Sequence, residues 1–367
     1  MNDIPLLDLK AQYHSIKEEL NQAAIGVMES GRYVLGPEVA ALEREVASLS
    51  DAKHGIGVAN GTDALLLALD AMGIGPGDEV ITSPFTFFAT AEVISQRGAT
   101  PVFVDIDPDT YNLDIHQLEE KVTARTKAVI PVHLFGQPAD MDPVNAIAGQ
   151  YGLWVLEDAA QAIGARYNGA PVGSHGHAAS YSFFPTKNLG GYGDGGMIVT
   201  SDDELAEKIR ILRVHGSNPK YYHSMVGYNS RLDELQAALL RVKLKYLSRW
   251  NEDRRERAML YDRLLEGLPV VRPVAVGNRI HIYHLYIVQV EDREGMAAHL
   301  RERGIATGVY YPVPLHLQNV YRGLGYDEGD LPVAEAASKR TLALPLYPEM
   351  EEEMVMRVAD AVKEFFS

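Results

Sequence analysis

The chain has 367 residues, 46% hydrophobic and 23% charged, which suits a soluble globular enzyme with one large and one smaller core. Its formal net charge of −16 argues against nucleic acid or an anionic membrane surface as the main partner, because both require basic patches. The lack of cysteine excludes disulfides, thiolate metal centres and a cysteine nucleophile, and it fits a reducing cytoplasm.

The opening "MNDIPLLDLKAQYHSIKEEL" places acids ahead of any long apolar run, so it reads as a helical segment and not as a signal peptide. The longest apolar stretch, "ALLLALDAMGIG", is broken by Asp70 and glycine and is too short to span a bilayer. From about residue 55 to 240, short apolar runs alternate with amphipathic ones. Strands are expected at "GIGVAN", "DEVITS", "TPVFVDI", "KAVIPVHL", "LWVLED", "ASYSFF" and "GMIVT", with helices between several of them, such as "TDALLLALDAM" and "DPVNAIAGQYG". Strands apolar on both faces point to an α/β fold with a mainly parallel central sheet flanked by helices. After the charge-rich helical stretch 232–265, residues 268–367 offer "HIYHLYIVQV" as a strand, two or three helices and Pro-rich loops. The expected division is a large domain over 1–250 and a small C-terminal α+β domain over 251–367.

Ligands of open parallel sheets bind beyond the carboxyl ends of the strands. After "GIGVAN" come Gly61, Thr62 and Asp63 at a helix start, a natural phosphate cradle, although taken alone Thr62 reads more readily as a helix cap. "LWVLED" ends in Glu157 and Asp158, where Asp158 could serve a metal, a ribose, a protonated ring nitrogen or a helix N-terminus. "SFFPTKNLGGYGDGG" sets Lys187 among aromatic and glycine neighbours, which disfavours its ammonium form and suits an amine nucleophile. The formal G-x-G-x-x-G at Gly191–Gly196 leads into the strand "GMIVT", with the next helix opening at a Ser201/Glu204 capping box. That is the reverse of a dinucleotide loop, so the glycines are read as serving Lys187. A lysine for a Schiff base, an acid for a pyridinium nitrogen and a phosphate cradle together make the kit for pyridoxal phosphate.

With these motifs, the segments "LDLKAQY", "ANGTDALLLAL", "FTFFATAEVI", "VHLFGQPADMDP", "EDAAQAIGA", "SFFPTKNLGGYGDGG", "GYNSRLDELQAA" and "YYPVPLHLQ" resemble the DegT/DnrJ/EryC1/StrS aminotransferases. The resemblance runs from the N-terminus to about residue 350, and it is most specific from Glu157 to Gly196. It implies a fold-type I pyridoxal-phosphate enzyme that moves an amino group from L-glutamate to a nucleotide-linked keto sugar. Lys187 would carry the cofactor, Asp158 would pair with its ring nitrogen and Gln161 would hydrogen-bond on the ring hydroxyl side. Thr62 and the backbone at Gly61 and Asp63 would hold the phosphate with Ser182. Phe87, with Phe88 as the neighbouring alternative, would stack on the ring. Asn229 would reach the phosphate of the neighbouring subunit, which makes the site shared across a homodimer. Arg231, Tyr310 and Tyr311 would touch the sugar or nucleotide; Tyr310 stands where many relatives have His before the Tyr-Pro pair. The spread of the resemblance favours 3-keto sugars linked to dTDP or UDP, with 4-keto sugars as the alternative.

Sugar-dehydrating members of the family replace the active-site lysine with histidine, and Lys187 speaks against that activity. A non-catalytic regulatory protein on the same fold is a reading of another class, weakened by the complete catalytic kit. A metal hydrolase would rest on His175/His177 and His281/His284, whose i, i+2 loop and i, i+3 strand spacings form no helical ligand face. A serine hydrolase lacks its G-x-S-x-G elbow.

Overall fold

Short β-branched runs form the central strands in a computed structural model that describes residues 3–367. They are β1 (His54–Val58), β2 (Glu79–Thr82), β3 (Thr100–Phe103), β4 (Thr126–Ile130), β5 (Trp154–Asp158), a hairpin of β6 (Arg166–Tyr167) and β7 (Ala170–Pro171), then β8 (Ala178–Ser182) and β9 (Gly196–Thr200). The main sheet has the order β1-β9-β8-β5-β4-β2-β3. From β3 across to β8 the neighbours are parallel, while β9 lies antiparallel between β8 and β1. Each of the seven apolar runs expected to form strands does so.

Strands β2 and β9 are buried at every residue, which requires cover on both faces. On one face, helices Gly61–Ala71 and Asp203–Leu212 pack Leu65, Leu67, Leu205 and Ile209 with Ile56 and Ile198. On the other, helices Pro37–Leu49 and Glu234–Leu244 pack Leu42, Val46 and Leu240 with Tyr181 and Val199.

The topology collects the strand ends that matter. β1 points the same way as the parallel set, so Val58, Asp158 and Ser182 all end at one edge. Val58 and Ser182 share a row through Gly196, which pairs with both. That row is tight: a Cβ on Gly196 would lie 2.3 Å from the Asn60 carbonyl oxygen, so only glycine fits.

The Asp203–Leu212 helix corrects the expected cap. Asp202, not Ser201, accepts the N–H groups of Glu204 and Leu205, at 2.8 and 2.9 Å, while Ser201 Oγ accepts from the Lys53 N–H. A carboxylate one residue nearer the helix has the better reach to those donors.

The charge-rich helical stretch divides into Glu234–Leu244 and Leu247–Leu264. Beyond it, β10 (Arg279–Ile280) joins β6, and β11 (Tyr286–Gln289) pairs antiparallel with β12 (Thr341–Leu344). Helices Arg293–Glu302, Pro332–Arg340 and Glu352–Phe365 accompany them. The N-terminal segment bridges both regions: Ile4 packs with Tyr261 and Leu300, and Leu20 packs with Leu239 and Trp250.

The strand expected over "HIYHLYIVQV" is much shorter than its apolar pattern. Tyr283 has φ 45°, which no strand accommodates. The N–H groups of Ile282 and His284 donate to Gly136 O and Phe135 O, at 3.0 and 2.8 Å. His281 and His284 therefore lie on a turn inserted against the loop after β4, not on a strand.

Candidate active site

Asp158 ends β5 with its carboxylate almost fully buried. Oδ2 accepts from Thr90 Oγ1 at 2.7 Å and Oδ1 from the Ala160 N–H at 3.2 Å. Its backbone is pinned to the strand-end loop of β4, with its N–H on Pro131 O (2.9 Å) and its carbonyl accepting from His133 N–H (3.0 Å). Side chains alternate along a strand, so neighbouring Glu157 faces away. Glu157 is fully buried and saturated by four donors: His133 Nε2 (2.9 Å) and the N–H groups of Gly173, His175 and Gly176 (2.9, 2.9 and 2.7 Å). His133 Nδ1 accepts from Ala139 N–H, so its Nε2 carries the proton given to Glu157. These bonds hold the Glu157 carboxyl below its ordinary range against the opposing pull of burial.

Lys187 follows β8 by five residues, on a turn closed by its N–H to Phe184 O at 2.9 Å. Burial pushes its ammonium down to about 8, and the Asp158 carboxylate only partly offsets this. A neutral amine is therefore present near pH 8 and not only above pH 10.

The third component is the start of the Gly61–Ala71 helix. Asn60 is the N-cap: its Oδ1 accepts from Asp63 N–H at 2.8 Å, and its carbonyl accepts from Ala64 N–H at 3.1 Å. The Asp63 N–H, given to a phosphate on the resemblance, is thus already engaged. Those of Gly61 and Thr62 have no partner among the described residues. A Cβ on Gly61 would lie 2.7 Å from Ser182 Cβ, so the helix start and the end of β8 meet directly.

Aromatic and amide groups close the far side. Phe87 is 58% exposed, its ring 6.4 Å from Tyr311, whereas Phe88 packs on Tyr321 in a hydrophobic cluster. Of the two, Phe87 has a free face. Gln161 Oε1 accepts from Phe135 N–H at 2.7 Å, and its Nε2 donates to Tyr311 Oη at 3.1 Å. Tyr310 packs edge-on against Tyr311 at 5.8 Å. Burial raises both phenols above their ordinary value. Asn229 is exposed and Arg231 half-buried, and neither side chain has a partner among the described residues. Between them, Ser230 Oγ accepts from Ala59 N–H at 3.1 Å, which anchors this segment beside the helix start.

The histidines of the metal-hydrolase reading have other work. His281 stacks on Tyr283 and accepts its N–H, His175 and His177 lie edge-on to Tyr167 and Trp154, and no metal-binding cluster of three or more such side chains occurs among the described residues. Two polar groups of the site escaped the sequence reading. Asn60 was legible as Asn ahead of a helix start; Thr90 was not, since it stands 68 positions from Asp158 and meets it only through the fold.

Unpartnered N–H groups at a helix start, an exposed aromatic face, a buried carboxylate and a depressed lysine fit a planar, phosphorylated, carbonyl-bearing cofactor. The model of the DegT/DnrJ/EryC1/StrS aminotransferase family matches residues 14–363. The chain belongs to that family. Aminotransferases of the family depend on pyridoxal phosphate, and structural neighbours have been solved in PLP- and PMP-bound forms. This family member is 58% identical over 367 residues to a pleiotropic regulatory protein of Geobacillus stearothermophilus, covering 99% of each chain. It is 47% identical over 360 residues to a UDP-N-acetyl-3-dehydro-α-D-glucosamine 3-aminotransferase of Acidithiobacillus ferrooxidans, covering 98% of this chain and 97% of that one. Further relatives are named for 3-amino or 3-oxo sugars linked to dTDP or UDP. The solved structure of Streptomyces venezuelae DesV in complex with a ketimine intermediate matches with a TM-score of 0.98 and 46% identity, over 100% of this chain and 99% of that one.

Proposed function

We propose that this protein transfers an amino group from L-glutamate to a nucleotide-linked 3-keto sugar, on a dTDP or UDP carrier, as a homodimer with shared active sites. One observation carries the reading: a lysine amine depressed to about 8 at the sheet edge where Asp158 ends its strand. Relatives named for 3-amino sugars favour C3 over C4. The cysteine-free composition supports work in the cytoplasm, and no described helix is long and apolar enough to cross a membrane.

Bound pyridoxal phosphate supplies an imine carbon and a ring that accepts a carbanion's charge. The N–H groups of Gly61 and Thr62, with the Thr62 and Ser182 hydroxyls, bind the phosphate at the positive helix end. Asn229 of a second copy adds a donor there. Phe87 stacks on the ring and Gln161 orients its hydroxyl side. Asp158, steadied by Thr90, holds a proton on the ring nitrogen. Lys187 would hold the cofactor's carbonyl carbon and, as an amine depressed to about 8, would serve as the base and acid that takes and returns the donor's α-proton. Arg231, Tyr310 and Tyr311 face the sugar and its diphosphate. The large unit over 1–250 carries the cofactor, and the small one over 251–367 carries the tyrosine side of the cleft.

Absorption spectra before and after glutamate test the reading. The wild type is expected to show a lysine-bound chromophore that shifts with glutamate. Lys187→Ala should lose the linkage and at least 1,000-fold in turnover, an order of magnitude set by loss of a covalent, proton-transferring group. The name of the Geobacillus relative favours a second, regulatory reading. A protein that stays colourless with added pyridoxal phosphate would favour it over the first.

A further inference from the structure

We propose that His284 is a positioning residue for Lys187, acting through Asn188 as a neutral imidazole protonated at Nδ1. The inference rests on the aminotransferase reading of Lys187, and it goes beyond that reading by adding residues outside the cofactor contacts. Its basis is a chain of buried polar groups whose directions are all determined. Asn251 Nδ2 donates to Ile163 O at 3.1 Å, so Asn251 Oδ1 is the acceptor for Asn188 Nδ2 at 2.8 Å. Asn188 Nδ2 also approaches Ile282 O at 3.3 Å. Asn188 Oδ1 therefore faces His284 Nδ1 at 3.0 Å and must accept from it. Asn188, Asn251 and His284 are all at least nine-tenths buried, so each bond is made away from competing water.

The chain joins four segments that local sequence does not connect. Ile163 lies in the turn region that follows β5 and carries Gln161; Asn188 adjoins Lys187; Asn251 lies on the helix Leu247–Leu264; Ile282 and His284 lie on the turn inserted against Phe135 and Gly136. Lys187 itself makes one bond, its N–H to Phe184 O; Gly191 N–H on Phe183 O and Lys243 Nζ on Gly190 O close the loop further along, so Asn188 is the tertiary anchor that adjoins Lys187. Burial holds the His284 imidazole well below its ordinary value, and the two charges that face it, Lys187 and Arg254, are both cationic and add to this. A protonated His284 would put a second positive charge beside the lysine; the neutral tautomer avoids this. It also leaves Nε2 as a lone-pair acceptor with no partner among the described residues.

Lys187 labelling in cofactor-stripped protein tests the proposal without using turnover. An amine-reactive acylating reagent is applied between pH 6 and 11, and modification of Lys187 is read by mass spectrometry, with exposed Lys245 as the internal control. Half-labelling in the wild type is expected near pH 8. His284→Asn keeps a donor where Nδ1 stood and should stay within about 0.3 pH units of the wild type. His284→Leu loses the anchor, and the released lysine should shift upward by about one pH unit or more, a tenfold change in neutral amine at fixed pH. If His284→Leu does not fold, Asn188→Ser, which removes the acceptor and spares the imidazole, carries the same expectation. A folded His284→Leu or Asn188→Ser protein with the wild-type midpoint would overturn the proposal. Because no cofactor is present, failure here is distinct from failure of the aminotransferase reading, which would show as a colourless wild type.

Discussion

Glu157 and Asp158 show how one residue step separates scaffold from chemistry. Both are carboxylates at the end of β5, but the strand's alternation sends them to opposite sides. Glu157 meets four donors in the interior, whereas Asp158 has one hydroxyl and one N–H on its oxygens and faces the lysine. Glu157→Ala strands a buried imidazole N–H and three backbone donors. It should cost about 3–5 kcal/mol in urea unfolding, because each buried donor left unsatisfied costs about 1–3 kcal/mol. Phe87→Ala should behave in the opposite way. Its ring is 58% exposed, so apo-protein stability should change by less than about 0.5 kcal/mol. Cofactor affinity, measured by fluorescence titration, should fall about 2- to 10-fold through the lost stacking.

At the scale of elements, the site is made by the junction of a helix start with a strand end. Gly61 opens its helix against Ser182 at the end of β8, with no room for a methyl group. Gly61→Ala should therefore lower apo-protein stability by about 1–3 kcal/mol, the usual range for overpacking. The double variant Gly61→Ala/Ser182→Gly should recover most of that loss, because the obstructing side chain is gone. Additive losses in a double-mutant cycle would show that the two elements do not press on each other. The same scale explains where pattern reading stopped. "GIGVAN" and "GMIVT" could only be strands, being short, apolar and β-branched. "HIYHLYIVQV" has the same character, yet its first half is held by the loop at Phe135 and Gly136, a partner about 150 residues away. The cap at Asp202 in place of Ser201 is a shift of one residue, and Ser201 instead accepts from Lys53 N–H.

For the whole molecule, the chain exposes apolar side chains that the proposed homodimer gives a reason for. Tyr33, Val34 and Tyr192 are 53%, 55% and 45% exposed. They adjoin Asp233–Gln236 through the Val34–Asp233 bridge and the Tyr192 N–H bond to Gln236. This patch lies on the same stretch as unpartnered Asn229 and Arg231, as expected of an interface. If each site takes Lys187 from one copy and Asn229 from the other, mixing inactive Lys187→Ala and Asn229→Ala subunits should restore activity. Half of a random mixture is hybrid, and each hybrid has one intact site, so about a quarter of wild-type turnover is expected. No recovery would place both residues in one subunit's site. Stability should also respond to pH in a set direction. Lys187 and Lys243 are both pushed down to about 8 by burial, so between about pH 8 and 10 the unfolded chain binds more protons and stability rises with pH. Above about pH 10 the sign reverses, because Tyr111, Tyr167, Tyr283 and Tyr347, raised to about 12, ionise only on unfolding. The urea midpoint should therefore peak between pH 9 and 10; a monotonic decline from pH 8 would contradict the lowered values of both lysines.

The sequence by itself determined the sheet and its helices, and it singled out Gly61–Thr62, Asp158 and Lys187 as candidates, each from its own short motif. Those features depend on local periodicity, on short-range turn chemistry and on motifs within a few residues of each other. Only the tertiary structure decided which groups complete the kit. Thr90 reaches Asp158 across 68 residues, Tyr311 reaches Gln161 across 150, and His284 reaches Asn188 across 96. Such contacts arise where separate strands and turns end at one edge of the sheet, and no local propensity encodes which ends will meet.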